Sequence, residues 1–340
     1  MDFYFQYTFF LLCFFFKGNS DQAIDIHNSW VNLQICKGKE SWGAGNNIQL
    51  ALSEKSEPYD YFLLGSDYGN IRVRYIYGFL ENIDNNINRY ITARGFEWTN
   101  KQSFIIGFSE TIIYSGDNRS FDIGYLNPVS SHLEIELNNR LNMIGEGNAN
   151  AVWQLHLDIL LKNNLRFSAN FLYDELVLDP DIQIGKEHGK AFSIRFAYTP
   201  LTLNEHIISF NGSFIRVGTP TMRHRVGANN FVQNGRPLGW EKGSDGQEVC
   251  IGLNYYNKDN IILNVSTGLL QYGDETITKN VFAPYSDYIK GPFPSGKLNE
   301  IYYLQTNISY RWRNYLSVST SSYWSRETFD KNITFIISLF

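Results

Sequence analysis

Along most of this chain apolar and polar residues exchange places at every step. Ile71, Val73, Tyr75, Tyr77 and Phe79 alternate with Arg72, Arg74 and Gly78, and Ala151, Trp153, Leu155, Leu157, Ile159 and Leu161 with Asn150, Gln154, His156 and Asp158. Leu165, Phe167, Ala169, Phe171 and Tyr173 oppose Arg166, Ser168, Asn170 and Asp174; Phe192, Ile194, Phe196 and Tyr198 oppose Ser193 and Arg195. Ile208, Phe210 and Phe214 oppose Ser209, Asn211 and Ser213, and Val249, Ile251, Leu253 and Tyr255 oppose Glu248, Gly252 and Asn254. Successive side chains of a strand point to opposite faces, so each segment is a strand with one apolar and one polar face.

A soluble β-sandwich also alternates, so the connections decide the class. Short polar turns fall near residues 99–101, 162–164, 200–204, 257–260 and 311–313, and long connections at 115–148, 175–187, 218–246 and 271–297. Strict exchange of short and long connections is the pattern of an antiparallel transmembrane β-barrel, with short periplasmic turns and long extracellular loops. A sandwich mixes loop lengths and uses strands of about 5 or 6 residues. Counting from Trp30 gives about 14 strands, an even number as single-chain bacterial barrels require.

Composition agrees. Aromatics make up 16% of the 340 residues, against 3 Met and 9 Pro, which is β-rich usage. A mean hydropathy of −0.28, with no apolar run of about 18 residues, excludes a polytopic helical membrane protein and is compatible with a barrel, half of whose strand residues are polar. The net charge of −5 argues against a nucleic-acid partner. Cys13, Cys36 and Cys250 share no CxxC spacing, so neither a disulfide framework nor a thiolate metal site is expected, and no cofactor is implied.

At the N-terminus an apolar run at residues 9–16 (FFLLCFFF) is followed by Lys17, Gly18, Asn19, Ser20 and Ala23. It resembles the hydrophobic and cleavage regions of a secretory signal, although Asp2 replaces the usual cations ahead of it. Residues 1–23 are therefore expected to be a leader and 24–340 the barrel, a first barrel strand being the competing reading. Tyr90, Trp98, Trp153, Tyr173, Tyr198, Tyr255, Tyr310, Trp312, Tyr315, Tyr323 and Trp324 lie near strand ends, where amphipathic rings meet lipid headgroups. The chain stops at Phe340, and a terminal aromatic on the last strand resembles the signal read by the outer-membrane assembly machinery. Its face also carries Ser338 and Thr334, however, while Phe335, Ile337 and Leu339 form the more apolar one.

Three blocks carry a family resemblance. Trp42, Gly43, Gly45, Leu52, Ser53 and Pro58 form the first; Ser109, Glu110, Ile113, Tyr114, Gly116, Asn118, Arg119, Tyr125, Leu126, Asn127 and Pro128 the second; Asn234, Gly235, Pro237, Leu238 and Gly239 the third. Together they resemble the Wzi-like capsule-assembly family of outer-membrane barrels over most of residues 30–340. The resemblance implies a lectin-like protein that holds capsular or other surface polysaccharide on a barrel of about 18 strands, more than are counted here.

Candidate ligand groups sit in the long connections. Arg119, Tyr125 and Asn127 combine an aromatic ring with planar polar groups suited to sugar hydroxyls. The structural alternative pairs Arg119 with Glu110 and wedges Tyr125 and Pro128 into the lumen as a plug. Arg223, His224, Arg225, Arg236 and Lys242, with Trp240 exposed among them, suit an acidic polysaccharide or a lipopolysaccharide phosphate, or simply form a solvated loop surface. Tyr285, Tyr288 and Phe293 suit stacking on sugar faces or filling the barrel mouth. Arg72, Arg74, Arg94, Glu97, His156, Asp158, Arg166 and Asp174 are expected in the lumen, as the lining of a channel or as an internal network. Glu110 shares parity with Phe104, Ile106 and Phe108, so it would face lipid unless a bulge or its height intervenes.

The six histidines show no HExxH spacing, and no GxSxG motif accompanies the single conceivable pair, His156 and Ser168. A non-enzymatic, polysaccharide-binding outer-membrane barrel is expected, with a porin or small-ligand transporter as the alternative.

Overall fold

The alternating segments are strands in the protein's computed structural model. It describes residues 13–17, 21–27, 30–84, 86–132, 134–135, 149–174, 184–203, 206–257, 260–285, 290–312, 316–326 and 328–337. The wall strands are β1 (Cys13–Lys17), β2 (Asp21–His27), β3 (Val31–Gly38), β4 (Tyr59–Tyr68), β5 (Ile71–Phe79), β6 (Ile87–Thr99), β7 (Phe104–Asp117), β8 (Ala149–Lys162), β9 (Leu165–Tyr173), β10 (Lys190–Leu203) and β11 (His206–Val217). After a small hairpin, β12 (Val232–Gln233) and β13 (Arg236–Pro237), the wall resumes with β14 (Gly246–Asn257), β15 (Ile261–Tyr272), β16 (Asn299–Trp312), β17 (Leu316–Ser325) and β18 (Phe329–Ile337). A four-residue helix, α1 (Ile123–Leu126), follows β7.

Each wall strand pairs antiparallel with its sequence neighbours in one 16-stranded sheet, with β11 joined directly to β14. From β3 onward the wall has the 14 strands counted in the sequence. Part of the segment expected as a leader is placed in β1, where Phe15 stands opposite Ala23 of β2. Residues 338–340, including Phe340, lie outside the described residues.

The strands place one face outward. Phe96, Phe108, Leu155, Phe196, Phe210 and Ile251 are between 40% and 61% exposed there, as hydrocarbon-facing residues should be. Trp98, Tyr198 and Tyr310, exposed near the short-turn end, fit an interfacial girdle, whereas Tyr323 points inward and stacks on Tyr303 at 5.7 Å. The inner face is buried along β4 to β11 by the long connections. Tyr59, Leu63, Ile76, Ile91, Ile113, Val152, Leu172, Ala191 and Val217 pack there with Trp42, Ile48, Leu50, Phe231, Leu238 and Trp240 in one apolar core. The barrel therefore has its core inside the ring at the long-loop end and its apolar band outside.

One expected lumenal residue is not there. Arg94 stands opposite Tyr75 and Glu110 in unbroken register, which puts all three on the outer face.

Candidate functional site

Two long connections turn inward and lock together. The segment between β3 and β4 starts with Trp42, whose indole donates to Glu40 Oε2 at 3.3 Å, while Arg74 lies over its ring. Gly43 follows at φ +118°, and a Cβ there would sit 2.6 Å from Asn170 Oδ1 and 2.7 Å from Gln154 Nε2, so only glycine brings the loop against the wall. Asn170 of β9 then uses its whole amide on this loop and its neighbour: Oδ1 accepts from Ala44 N at 2.7 Å, and Nδ2 donates to Ala44 O, Ile48 O and Ser193 Oγ. Gln154 accepts from Ala51 N and donates to Trp42 O.

The segment between β11 and β14 lies against the first. Ser53 N donates to Leu238 O, Ser53 Oγ to Gly239 O at 2.6 Å, and Trp240 N to Leu50 O. Gly239 approaches Leu50 O so closely that a Cβ would fall 1.7 Å from it. Arg89 of β6, fully buried, pins the same segment by donating to Ala228 O, Asn230 O and Val232 O, and it ion-pairs with Glu81 at 3.0 Å. Burial pushes the Glu81 carboxyl above its ordinary value, and the guanidinium opposes that rise. The connection between β15 and β16 joins through Asn230, whose amide donates to Val281 O and Ala283 O, and through Asp245, which accepts from Thr219, Glu275 and Ser295. Three loops thus form one hydrogen-bonded plug.

The predicted loop residues fall into this scaffold differently from the sequence reading. Trp240 is not exposed: 2% of it is accessible, and its indole donates to Glu248 Oε2 at 3.0 Å. Arg223 is buried against Glu275 at 2.6 Å, with the Tyr285 ring 4.2 Å from its guanidinium carbon, so these two support the plug. Arg236 does reach solvent, with 66% of its side chain exposed and an ion pair to Glu57 at 3.1 Å. His224 is half-buried and accepts from Val226 N through Nδ1, and burial pushes its imidazole down to about 4. Asp174 caps the loop by accepting from Met222 N. Tyr288 lies outside the described residues.

The 118–135 segment does not plug the lumen. It folds over the outer wall, where Tyr125, 2% exposed, stacks on Tyr114 at 4.3 Å and accepts from Tyr75 through its carbonyl. Glu110 pairs with Arg94 at 3.2 Å, not with Arg119, and also accepts from Trp153 Nε1 and His132 N, so the cover resolves the carboxylate that parity directs toward lipid. Arg119 stacks on Tyr114 and bonds Ser115 O and Asp122. Asn127 is exposed; its side chain accepts from Val129 N, donates to Ser130, and its carbonyl receives Arg94. The parity conflict at Glu110 was the sequence signal for this cover.

Two of the spaces inside the wall are large enough for a ligand. Near the short turns a cavity of about 560 Å³ is bordered by Arg72, Lys101, Asp158 and Arg166, with Arg166 bidentate on Asp158. His156 does not meet Ser168: its Nε2 lies 3.2 Å from Glu97 Oε1, and its strand partner is Asn170. Further round the ring a cavity of about 640 Å³ lies under the plug, walled by β10 to β17 and roofed by Asn46, Asn47, Lys55 and Glu241. Its wall is mostly amide, hydroxyl and tyrosine, a lining the sequence reading did not single out.

No family profile and no curated protein matches the sequence. Among solved structures the chain is similar to Wzi, described as an outer-membrane protein involved in group 1 capsule assembly in Escherichia coli and a carbohydrate-binding β-barrel. The identity is 12%, the TM-score 0.64, and the match covers 92% of this chain and 76% of that one. A bacterial polysaccharide outer-membrane secretin matches at 8% identity and TM-score 0.44 over 92% and 86% of the two chains. The Pseudomonas aeruginosa protein OccK5 (OpdH) matches at 9% and 0.48 over 92% and 78%. With the apolar outer band and the alternating connections, the likeness to the first establishes the fold of this chain as that of a bacterial outer-membrane β-barrel.

Proposed function

We propose that this chain is a Wzi-like, non-enzymatic barrel that holds a surface polysaccharide at its long-loop end, with residues 1–23 serving as the leader. The observation that carries the reading is the plug: three loops tied to each other and to the wall by Asn170, Gln154 and Arg89 fill the space a diffusion porin keeps open. A rigid plug presents a fixed outer surface, and a repetitive polymer held by many weak contacts gains its affinity from their number. Arg236 is the cation of the candidate set that this surface offers, and Arg119 and Asn127 on the outer wall lie on the side toward lipopolysaccharide. The carbohydrate-binding neighbour supports the same reading. Lipid contact along the outer band, and delivery by the assembly machinery through Phe340, belong to the proposal.

The test is retention of the refolded barrel on immobilised capsular polysaccharide from the source cells, beside solute flux in liposomes. Retention without flux is expected, weakened several-fold by Arg236→Glu. Flux of small sugars with no retention would replace this reading with the porin.

A further inference from the structure

We infer that the cavity under the plug is a second carbohydrate site, for an uncharged oligosaccharide, formed by two rows of neutral side chains on the inner wall; it rests on the carbohydrate reading above. The strand register builds the rows. Ser209, Asn254, Asn264, Asn307 and Ser321 stand opposite one another across five strands. The next row is Asn211, Gly252, Ser266, Gln305 and Tyr323. Neighbouring strands lie about 4.8 Å apart, so the first row repeats a polar group at that interval along the inner wall.

What these amides do not do marks them out. Elsewhere in the lumen Asn170, Gln154, Asn150, Asn229 and Gln233 all bond to the plug or its anchors. Among the described residues, the amides of Asn211, Asn254, Asn264, Gln305 and Asn307 bond to no other protein group, and all five border the 640 Å³ cavity. That volume falls in the range of small-ligand sites.

Each amide offers donors and an acceptor in one plane, which matches adjacent sugar hydroxyls. Gly252 lets the Asn211 amide lie over the second row, since a Cβ there would fall 3.0 Å from both Asn211 Nδ2 and Oδ1. Tyr323, stacked on Tyr303 at 5.7 Å, supplies an aromatic edge. Both carboxylate oxygens of Glu248 are engaged, by Trp240 and Tyr303, Arg195 is the wall's one cation, and Lys55 pairs with Glu241 in the roof, so the charges bordering the cavity balance. The roof belongs to the plug, and the first row lies three residues from the short-turn ends of β14 and β15 and five from that of β16, so the ligand enters from the short-turn mouth.

Cys250 borders the cavity and reports on it. In a Cys13→Ser, Cys36→Ser background, the rate of Cys250 modification by a small maleimide is measured in detergent with maltohexaose, with an oligogalacturonate of equal length, or with neither. Millimolar maltohexaose should slow the reaction several-fold. Asn254→Ala with Asn307→Ala should abolish that protection without changing the sugar-free rate, and Asn264→Asp, of the same size, should weaken it. Protection by oligogalacturonate alone would overturn the neutral class, and protection by neither would overturn the site. Retention on capsular polysaccharide, measured on the same samples, separates that failure from failure of the surface-binding reading. Dextran added to intact cells meets only the long-loop face, so protection there would overturn the entry route.

Discussion

At the scale of residues, the inner wall uses single polar side chains as loop anchors. Asn170 is the clearest, because one amide makes four hydrogen bonds to two loop residues and to Ser193 while buried. Asn170→Ala strips Ala44 N and Ala44 O of partners in a dry setting, and stranding a buried polar group costs about 1–3 kcal/mol. Amide exchange at residues 44–48 should accelerate by one to two orders of magnitude, while the exchange of β14 to β16 stays unchanged. Equal acceleration throughout the barrel would show that Asn170 holds the wall, not the loop. Trp240 makes the complementary case. Trp240→Phe loses the bond to Glu248 and the outer edge of the indole, about 2 kcal/mol, whereas Trp240→Ala opens a larger cavity and should cost about 3–5 kcal/mol, read as a drop in the denaturant midpoint for loop unfolding. The sequence made Trp240 look like an exposed binding ring because it lies in a long, charged connection. A loop that folds into its own barrel reverses that expectation, and no local pattern announces the turn inward.

At the scale of elements, strand positions were legible and loop destinations were not. Alternation fixes which side of a strand faces water or core, so β5, β8 to β11 and β14 emerged from period, the count of strands from the exchange of short and long connections, and the turns fell within a few residues of their places. A connection carries no such period. Its path is set by partners far away in the chain, as when Ser53 meets Gly239 or Arg89 meets Asn230. Only a local contradiction betrays it, and Glu110 on an apolar face was one. Replacing it tests the outer cover: Glu110→Ala leaves Trp153 Nε1 without its acceptor and Arg94 without its counter-ion, and the 118–135 segment should become open to protease cleavage while the barrel persists. The loop from β11 to β14 should respond to pH. His224 is held neutral in the folded loop, down to about 4, against about 6.5 in the open chain. Between those values the open form binds the extra proton, so closure of this loop weakens as pH falls through that window and is fully present above it. Exchange at residues 224–230, corrected for intrinsic rates, should rise from pH 7 to pH 5 and lose that dependence in His224→Asn.

At the scale of the whole molecule, the division of labour runs around the ring. The arc from β4 to β11 spends its inner side chains on the plug, whereas the arc from β11 to β17 keeps a polar wall facing open space. A barrel that places its apolar core inside the ring gains stability from loops, and this separates holding the fold closed from forming the wall itself. The wall is held together by backbone hydrogen bonds between neighbouring strands, which the plug does not supply. Removing the plug should therefore open a pore without dissolving the barrel. Deleting residues 43–51 takes away the segment that Asn170 and Gln154 hold and that Trp240 and Gly239 rest on. In planar bilayers the intact protein should show little conductance, and the deletion variant steady, ohmic steps, because polar inner residues such as Asn170, Gln154 and Ser193 then meet water. An intact barrel that already conducts as well as the variant would mean that the three loops do not seal the ring, and the binding reading would lose the observation on which it stands.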